Sequence, residues 1–101
     1  DAIFAANDLL ALGAIQAIEE YGLQPGKDII IVSIDGIRDA FLAMIEGKLN
    51  CTVECSPLLG PQFFDVVEDI MAKRPVPKRI VTEEGVFPQE IAKDVLPTRK
   101  Y

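Results

Sequence analysis

An α/β fold built on a doubly wound parallel sheet is what this sequence predicts, and three observations predict it. Ala2-Ile3-Phe4-Ala5-Ala6 and Ile29-Ile30-Ile31-Val32-Ser33-Ile34 are near-continuous apolar runs. Continuous rather than alternating hydrophobicity marks strands covered on both faces, as in a parallel sheet. Each run stops at polar side chains, Asn7-Asp8 in one case and Asp35-Gly36 in the other, and a helical pattern follows each stop. Strand, helix and strand together take about 34 residues, the size of one right-handed crossover unit.

The remaining elements follow in order. Asn7 or Asp8 can cap the first helix by accepting from its unpaired backbone N–H groups. Leu9, Leu12, Ile15 and Ile18 then recur at helical spacing, with Gln16, Glu19 and Glu20 opposite, and Gly22 ends the helix. Pro25-Gly26 is the strongest turn signal ahead of the second strand. Ile37, Phe41, Met44 and Ile45 form a shorter stripe that Gly47 stops, and residues 50–54 read as a third strand. Pro57 sits near the start of a long helix with Leu59, Phe63, Val66, Val67 and Ile70 facing inward, ended by Arg74-Pro75. Residues 78–83 read as a weaker, half-exposed strand, and residues 89–95, after Pro88, as a last short helix before a polar tail. Three central strands with long apolar edges invite further pairing, so more sheet is expected ahead of Asp1.

Composition narrows the function. Half of the residues are apolar, which argues against disorder, and 101 residues suffice for one domain with a modest core. Ten basic and sixteen acidic residues give a net charge of −6 with no basic patch, so nucleic-acid binding is disfavoured. The apolar runs fall far short of the roughly 20 residues of a membrane span. No signal peptide is visible, but a chain that opens inside an apolar strand reads as a piece of something longer. Cys51 and Cys55, on one strand, would sit about 13 Å apart, beyond the roughly 7 Å limit for a disulfide. With no histidine in the chain, they also make no metal site, and two buried free thiols are expected.

The absence of histidine removes the serine and cysteine triads that depend on it. Neither glycine-rich phosphate loop occurs, and Asp39 reads as a solvated helix-start carboxylate rather than half of a catalytic pair. Binding fits better. An ionised Asp accepts several hydrogen bonds and can hold two adjacent hydroxyls of a polyol, while Asn both donates and accepts, as a hydroxyl does. Asn7 and Asp35 lie twenty-eight positions apart, one complete βα turn, so they would emerge at neighbouring strand tips, where open α/β sheets bind ligands. The plainer alternative is that Asn7 only caps a helix and Asp35 only begins a turn.

These residues resemble a family. Asp1 to Asp8 with Ala11-Leu12-Gly13-Ala14, then Pro25-Gly26-Lys27-Asp28, Val32-Ser33-Ile34-Asp35-Gly36, Gly47-Lys48-Leu49, Thr52-Val53, Pro57 and the closing Leu96-Pro97-Thr98-Arg99-Lys100-Tyr101 are similar to the C-terminal lobe of periplasmic sugar-binding proteins of ABC importers. The ending and the Thr52-Val53-Glu54 strand look most like the galactofuranose-binding branch. The resemblance implies two Rossmann-like lobes that close on one monosaccharide, with Asn7 and Asp35 bonding its hydroxyls and no cofactor. Asp8 and Glu54 are secondary ligand candidates, although a solvated or ion-paired strand end is the plainer account of Glu54. A third family contact, often Gln, falls at Cys55, a weak hydrogen-bond partner. It further implies a missing N-terminal lobe, which residues from about 81 to 101 would reach as crossover and tail, and ABC permease subunits as partners. The expected location is the periplasm, or a membrane-anchored lipoprotein outside a Gram-positive cell.

Two rivals share parts of this pattern. The effector domain of a lactose-repressor-type transcription factor has the same fold, but typically a Val-Pro-x-Asp turn where this chain has Gln24-Pro25-Gly26-Lys27-Asp28. A response-regulator-like domain also carries strand-end acids, yet no lysine follows a later strand here in the way that its phosphate site needs.

Overall fold

The computed structural model describes all 101 residues. In chain order the elements are β1 (Ala2–Phe4), α1 (Asp8–Glu20), β2 (Ile30–Asp35), α2 (Arg38–Ile45), β3 (Cys51–Glu54), α3 (Gly60–Met71), β4 (Val86–Pro88) and α4 (Ala92–Val95), the last flanked by single 3₁₀ turns. The sheet order is β1-β2-β3-β4. The first three strands run parallel, and β4 joins β3 antiparallel. No helix is long and apolar enough to cross a membrane.

Cross-strand register sorts the side chains into two faces. Ile3 pairs with Ile31, Ser33 with Thr52, and Thr52 with Phe87, so one row faces the helices. There Ile31, Ile15, Ile18, Phe41, Met44, Leu49 and Ala92 make the core. On the other face Phe4, Ile30 and Val53 are exposed. The chain thus builds the sheet and one of the two helical layers of a doubly wound fold.

Both crossover helices form where periodicity puts them, with Gly22 and Gly47 closing them at positive φ. Their buried faces are rotated from the expected stripes. Leu9 and Ile45 are exposed, and Ala11, Ala40 and Ala43 are buried instead, because small residues let helix and sheet approach closely. Asn50 stabilises the entry to β3: its Oδ1 accepts from the Ile31 amide at 2.8 Å, and its Nδ2 donates to the Gly26 carbonyl at 2.9 Å.

Three expectations are corrected. The helix after Pro57 forms as α3, but none of its residues is buried, and its apolar side chains, Phe63, Phe64 and Ile70 among them, face away from any core. The molecule measures 60 × 24 × 16 Å. Residues 78–83 form no strand; the free edge of β3 is taken by Val86–Pro88, which leaves Ile80-Val81-Thr82 without a partner ladder. The thiols are not both buried, since Cys55 is exposed and Cys51 half-buried. Residues 86–101 close the lobe at its far edge: β4 pairs with β3, Ala92 joins the core and Arg99 packs over Phe41.

Candidate functional site

Parallel pairing in register brings the carboxyl ends of β1, β2 and β3 together. Phe4 lies opposite Val32, and Asp35 opposite Glu54. Asn7 follows β1 as the cap of α1, and Asp8 next to it bonds the Gly36 and Ile37 amides, so Asn7 lies at the same end of the sheet. Asn7, Asp35 and Glu54 therefore stand at one end of the sheet.

Asn7 does cap α1. It is extended, with φ −154°, and its Oδ1 accepts from the Leu10 amide at 2.8 Å. The chain gives its side-chain NH₂ no acceptor, so capping leaves a donor pair free. Asp35 ends β2 at φ +131°, a region that L-residues rarely enter, and such strain of about 1–3 kcal/mol gathers at functional sites. Its carbonyl accepts from the Cys55 amide at 3.0 Å, whereas no group of the chain donates to its carboxylate.

Asp8 plays the opposite part. It is fully buried, and its carboxylate takes four hydrogen bonds. Oδ1 accepts from the Ser33 hydroxyl at 2.5 Å and the Thr52 hydroxyl at 2.7 Å. Oδ2 accepts from the amides of Gly36 at 2.7 Å and Ile37 at 2.8 Å. One carboxylate thus ties the tips of β1, β2 and β3 to the start of α2, whose own cap residue, Ile37, has no capping side chain. The expectation that Asp8 touches ligand is corrected by this geometry: its acceptors are occupied and it has no surface.

Glu54 is likewise engaged. Its Oε1 lies 2.8 Å from Arg99 Nη2 and accepts from the Tyr101 hydroxyl at 2.7 Å, and its Oε2 accepts from the Gly85 amide at 3.1 Å. Of the plainer alternatives, solvated or ion-paired, the ion pair is what forms, and each carboxylate oxygen takes at least one donor from the chain. Burial pushes the Glu54 carboxyl up, but the hydrogen bonds from Tyr101, Arg99 and Gly85 outweigh it and hold the group below the ordinary carboxylate value. Burial and the bond to Glu54 raise the Tyr101 phenol. The Arg99 guanidinium carbon lies 5.1, 5.2 and 4.6 Å from the ring centres of Phe41, Phe87 and Tyr101. Such stacking suits the weakly hydrated, planar guanidinium.

Arg99 and Tyr101 lie outside the expected site, in a stretch that reads as a polar tail. One signal pointed to them: Glu54 is a lone charge on an apolar strand and needs a partner. Cys55 sits exposed at the end of β3, while burial, with the Glu90 charge, raises the Cys51 thiol. A concavity of about 380 Å³ lies elsewhere, between the C-terminal ends of α1 and α2. Its Lys48 is ion-paired to Glu19 at 3.0 Å and Glu46 at 2.9 Å.

Comparison with known proteins bears on what this edge is for. No family model matches the chain. The galactofuranose-binding protein YtfQ of Escherichia coli is 38% identical over 99 residues, covering 97% of this chain and 31% of YtfQ. The fructose import binding protein FruE of Bifidobacterium longum is 38% identical over 101 residues, covering 98% of this chain and 30% of FruE. A Mycobacterium smegmatis protein crystallised with β-D-fucofuranose superposes with a TM-score of 0.93 at 48% identity, covering all of this chain and 33% of that one. The chain therefore spans about a third of the relatives it matches. In sequence and in fold the chain is similar to a lobe-sized part of these sugar-binding proteins.

Proposed function

We propose that this chain is the C-terminal lobe of the solute-binding component of an ABC sugar importer, and that its sheet edge forms one wall of a cleft for a monosaccharide. The observation that carries the reading is that two groups at adjacent strand ends are unused, the Asn7 NH₂ and the Asp35 carboxylate, while Asp8 is saturated. A carboxylate that accepts and an NH₂ that donates, on adjacent strands, suit neighbouring sugar hydroxyls, which both donate and accept. The furanose sugars named for YtfQ and the mycobacterial protein favour a five-membered ring as the ligand form. The lobe binds and does not catalyse, and it acts outside the cytoplasmic membrane with permease subunits as partners.

The same reading gives α3 its partner. A helix of twelve residues is marginal alone in water, and α3 buries nothing here while exposing Phe63, Phe64, Ile70 and Met71. Docking on an N-terminal lobe supplies the missing contact.

The test is calorimetric titration of the full-length protein with D-galactose, D-fructose, L-arabinose and D-ribose. Asp35→Ala removes a charged acceptor worth about 1.5–3 kcal/mol, so affinity should fall roughly 10- to 150-fold with the thermal midpoint nearly unchanged. Unchanged affinity would refute the site. A basic helix-turn-helix ahead of the lobes would instead make the protein a repressor with a similar pocket.

A further inference from the structure

Asp35 is the strained, unpartnered acid of the edge, and something must hold the turn that presents it. One side of that turn is held by Asp8, through the Gly36 and Ile37 amides. The other side is held by residues 96–101. The Arg38 amide, which begins α2, donates to the Tyr101 carbonyl at 2.8 Å. The Arg38 guanidinium reaches the Leu96 carbonyl at 3.5 Å. Arg99 lies directly against Gly36, where a β-carbon would come 3.1 Å from Nη2 and φ is +78°. Arg99 also donates to the Tyr101 hydroxyl at 2.5 Å, and both converge on Glu54 Oε1, the residue paired with Asp35 across the sheet.

We propose that Arg99 and Tyr101 are positioning residues of the ligand edge: together with Glu54 they clamp the Asp35-Gly36 turn from the side opposite Asp8 and fix where the Asp35 carboxylate points. Three observations set this apart from a general packing role. The Arg99 side chain is only 7% exposed although its stretch of sequence is polar. Its polar head meets this turn at Gly36 and the strand end next to it at Glu54, while the Phe41 and Phe87 rings of α2 and β4 hold it flat. Its Nε is buried without a hydrogen-bond partner, so the side chain is held by Nη2 and by the three rings around it. Without the clamp, Asp35 is free to relax from its strained φ toward the ordinary extended region, and the carboxylate swings with it.

The proposal rests on the sugar-binding reading for its affinity effect but not for its structural effect, so two measurements separate them. In the full-length protein, Arg99→Met, Arg99→Lys and Tyr101→Phe are compared with Ile18→Val, a core change at the far end of α1. The first measurement is hydrogen exchange at the Gly36, Ile37 and Arg38 amides. The expected result is at least tenfold faster exchange there in Arg99→Met, a smaller gain in Tyr101→Phe, and no local gain in Ile18→Val. The second is sugar affinity, expected to fall at least tenfold in Arg99→Met and to recover only in part in Arg99→Lys, which restores charge without the planar fork. Ile18→Val should lose thermal stability with affinity intact. If Arg99→Met does not fold, Arg99→Lys and Tyr101→Phe carry both measurements. Unchanged exchange at all three amides in the folded variants overturns the clamp. Faster exchange with unchanged sugar affinity overturns its role in binding. A wild-type protein that binds none of the four sugars refutes the sugar-binding reading, and exchange then decides the clamp alone.

Discussion

Asp8 offers the sharpest test of how this edge is held. Replacing it with Ala leaves four donors without their acceptor. The Ser33 and Thr52 hydroxyls can rotate toward other acceptors, but the Gly36 and Ile37 amides are fixed by the backbone. An unsatisfied buried amide costs about 1–3 kcal/mol, so the two amides alone cost roughly 2–6 kcal/mol. Gly36 keeps a second, longer contact to the Thr52 hydroxyl at 3.2 Å, which puts the expected loss near the middle of that span, about 4 kcal/mol. Against a typical total of about 5–15 kcal/mol, that is a large share.

Asp8→Asn separates shape from charge. The amide oxygen can still accept from Gly36 and Ile37, and the NH₂ can donate to the hydroxyls if they turn. What is lost is charge assistance, so the cost should fall to about 1–2 kcal/mol. The assay is urea unfolding of the full-length protein followed by circular dichroism, comparing midpoints at unchanged slope. The predicted order of destabilisation is Asp8→Ala, then Asp8→Asn, then Ser33→Ala. An Asp8→Ala protein within 1 kcal/mol of wild type would refute the claim that this carboxylate ties three strand ends together.

Two further outcomes are expected. The carboxyl of Glu54 is depressed in the folded state relative to its ordinary value of 4.5. Its contribution is therefore fully present above about pH 4.5 and is lost as pH falls through the lower folded value, so Glu54→Gln should flatten the acid limb of a stability-against-pH curve; an unchanged limb would count against the ion pair. At the thiols, iodoacetamide should modify exposed Cys55 at least tenfold faster than half-buried Cys51, whose thiol is raised by burial, as read by peptide mass spectrometry; equal rates would contradict their placement.

The sequence shows the βα units because hydrophobic period and stop signals are local. Residues 2–6 and 29–34 read as strands and became β1 and β2, and Gly22 and Gly47 ended helices where their type said they would. Elements whose place depends on a distant partner were not legible. Ile80-Val81-Thr82 has strand-like residues, yet pairing belongs to whichever segment reaches the β3 edge, and that is Val86–Pro88. The α3 stripe has the right period for burial, but period does not say which surface receives it. Leu9 shows the same limit on a finer scale: a one-residue rotation of α1 exposes it and buries Asp8.

At the candidate site, sequence singled out polar residues at the strand ends but not what each one does there. Asn7, Asp8, Asp35 and Glu54 all read as polar strand-end groups able to hold a hydroxyl. The fold divides them by whether their hydrogen bonds are already taken. Asp8 and Glu54 are filled by donors from within the chain and hold the edge in place. Asn7 gives its oxygen to α1 and keeps its NH₂, and Asp35 keeps its whole carboxylate at a backbone angle its neighbours must enforce. A free acceptor on a rigid, strained turn can bind without first being ordered, and that saving in entropy is what a small ligand with few contacts needs. On the proposed sugar-binding reading, the acids already engaged within the chain are therefore as necessary to affinity as Asp35, and a search for ligand contacts alone would pass over them.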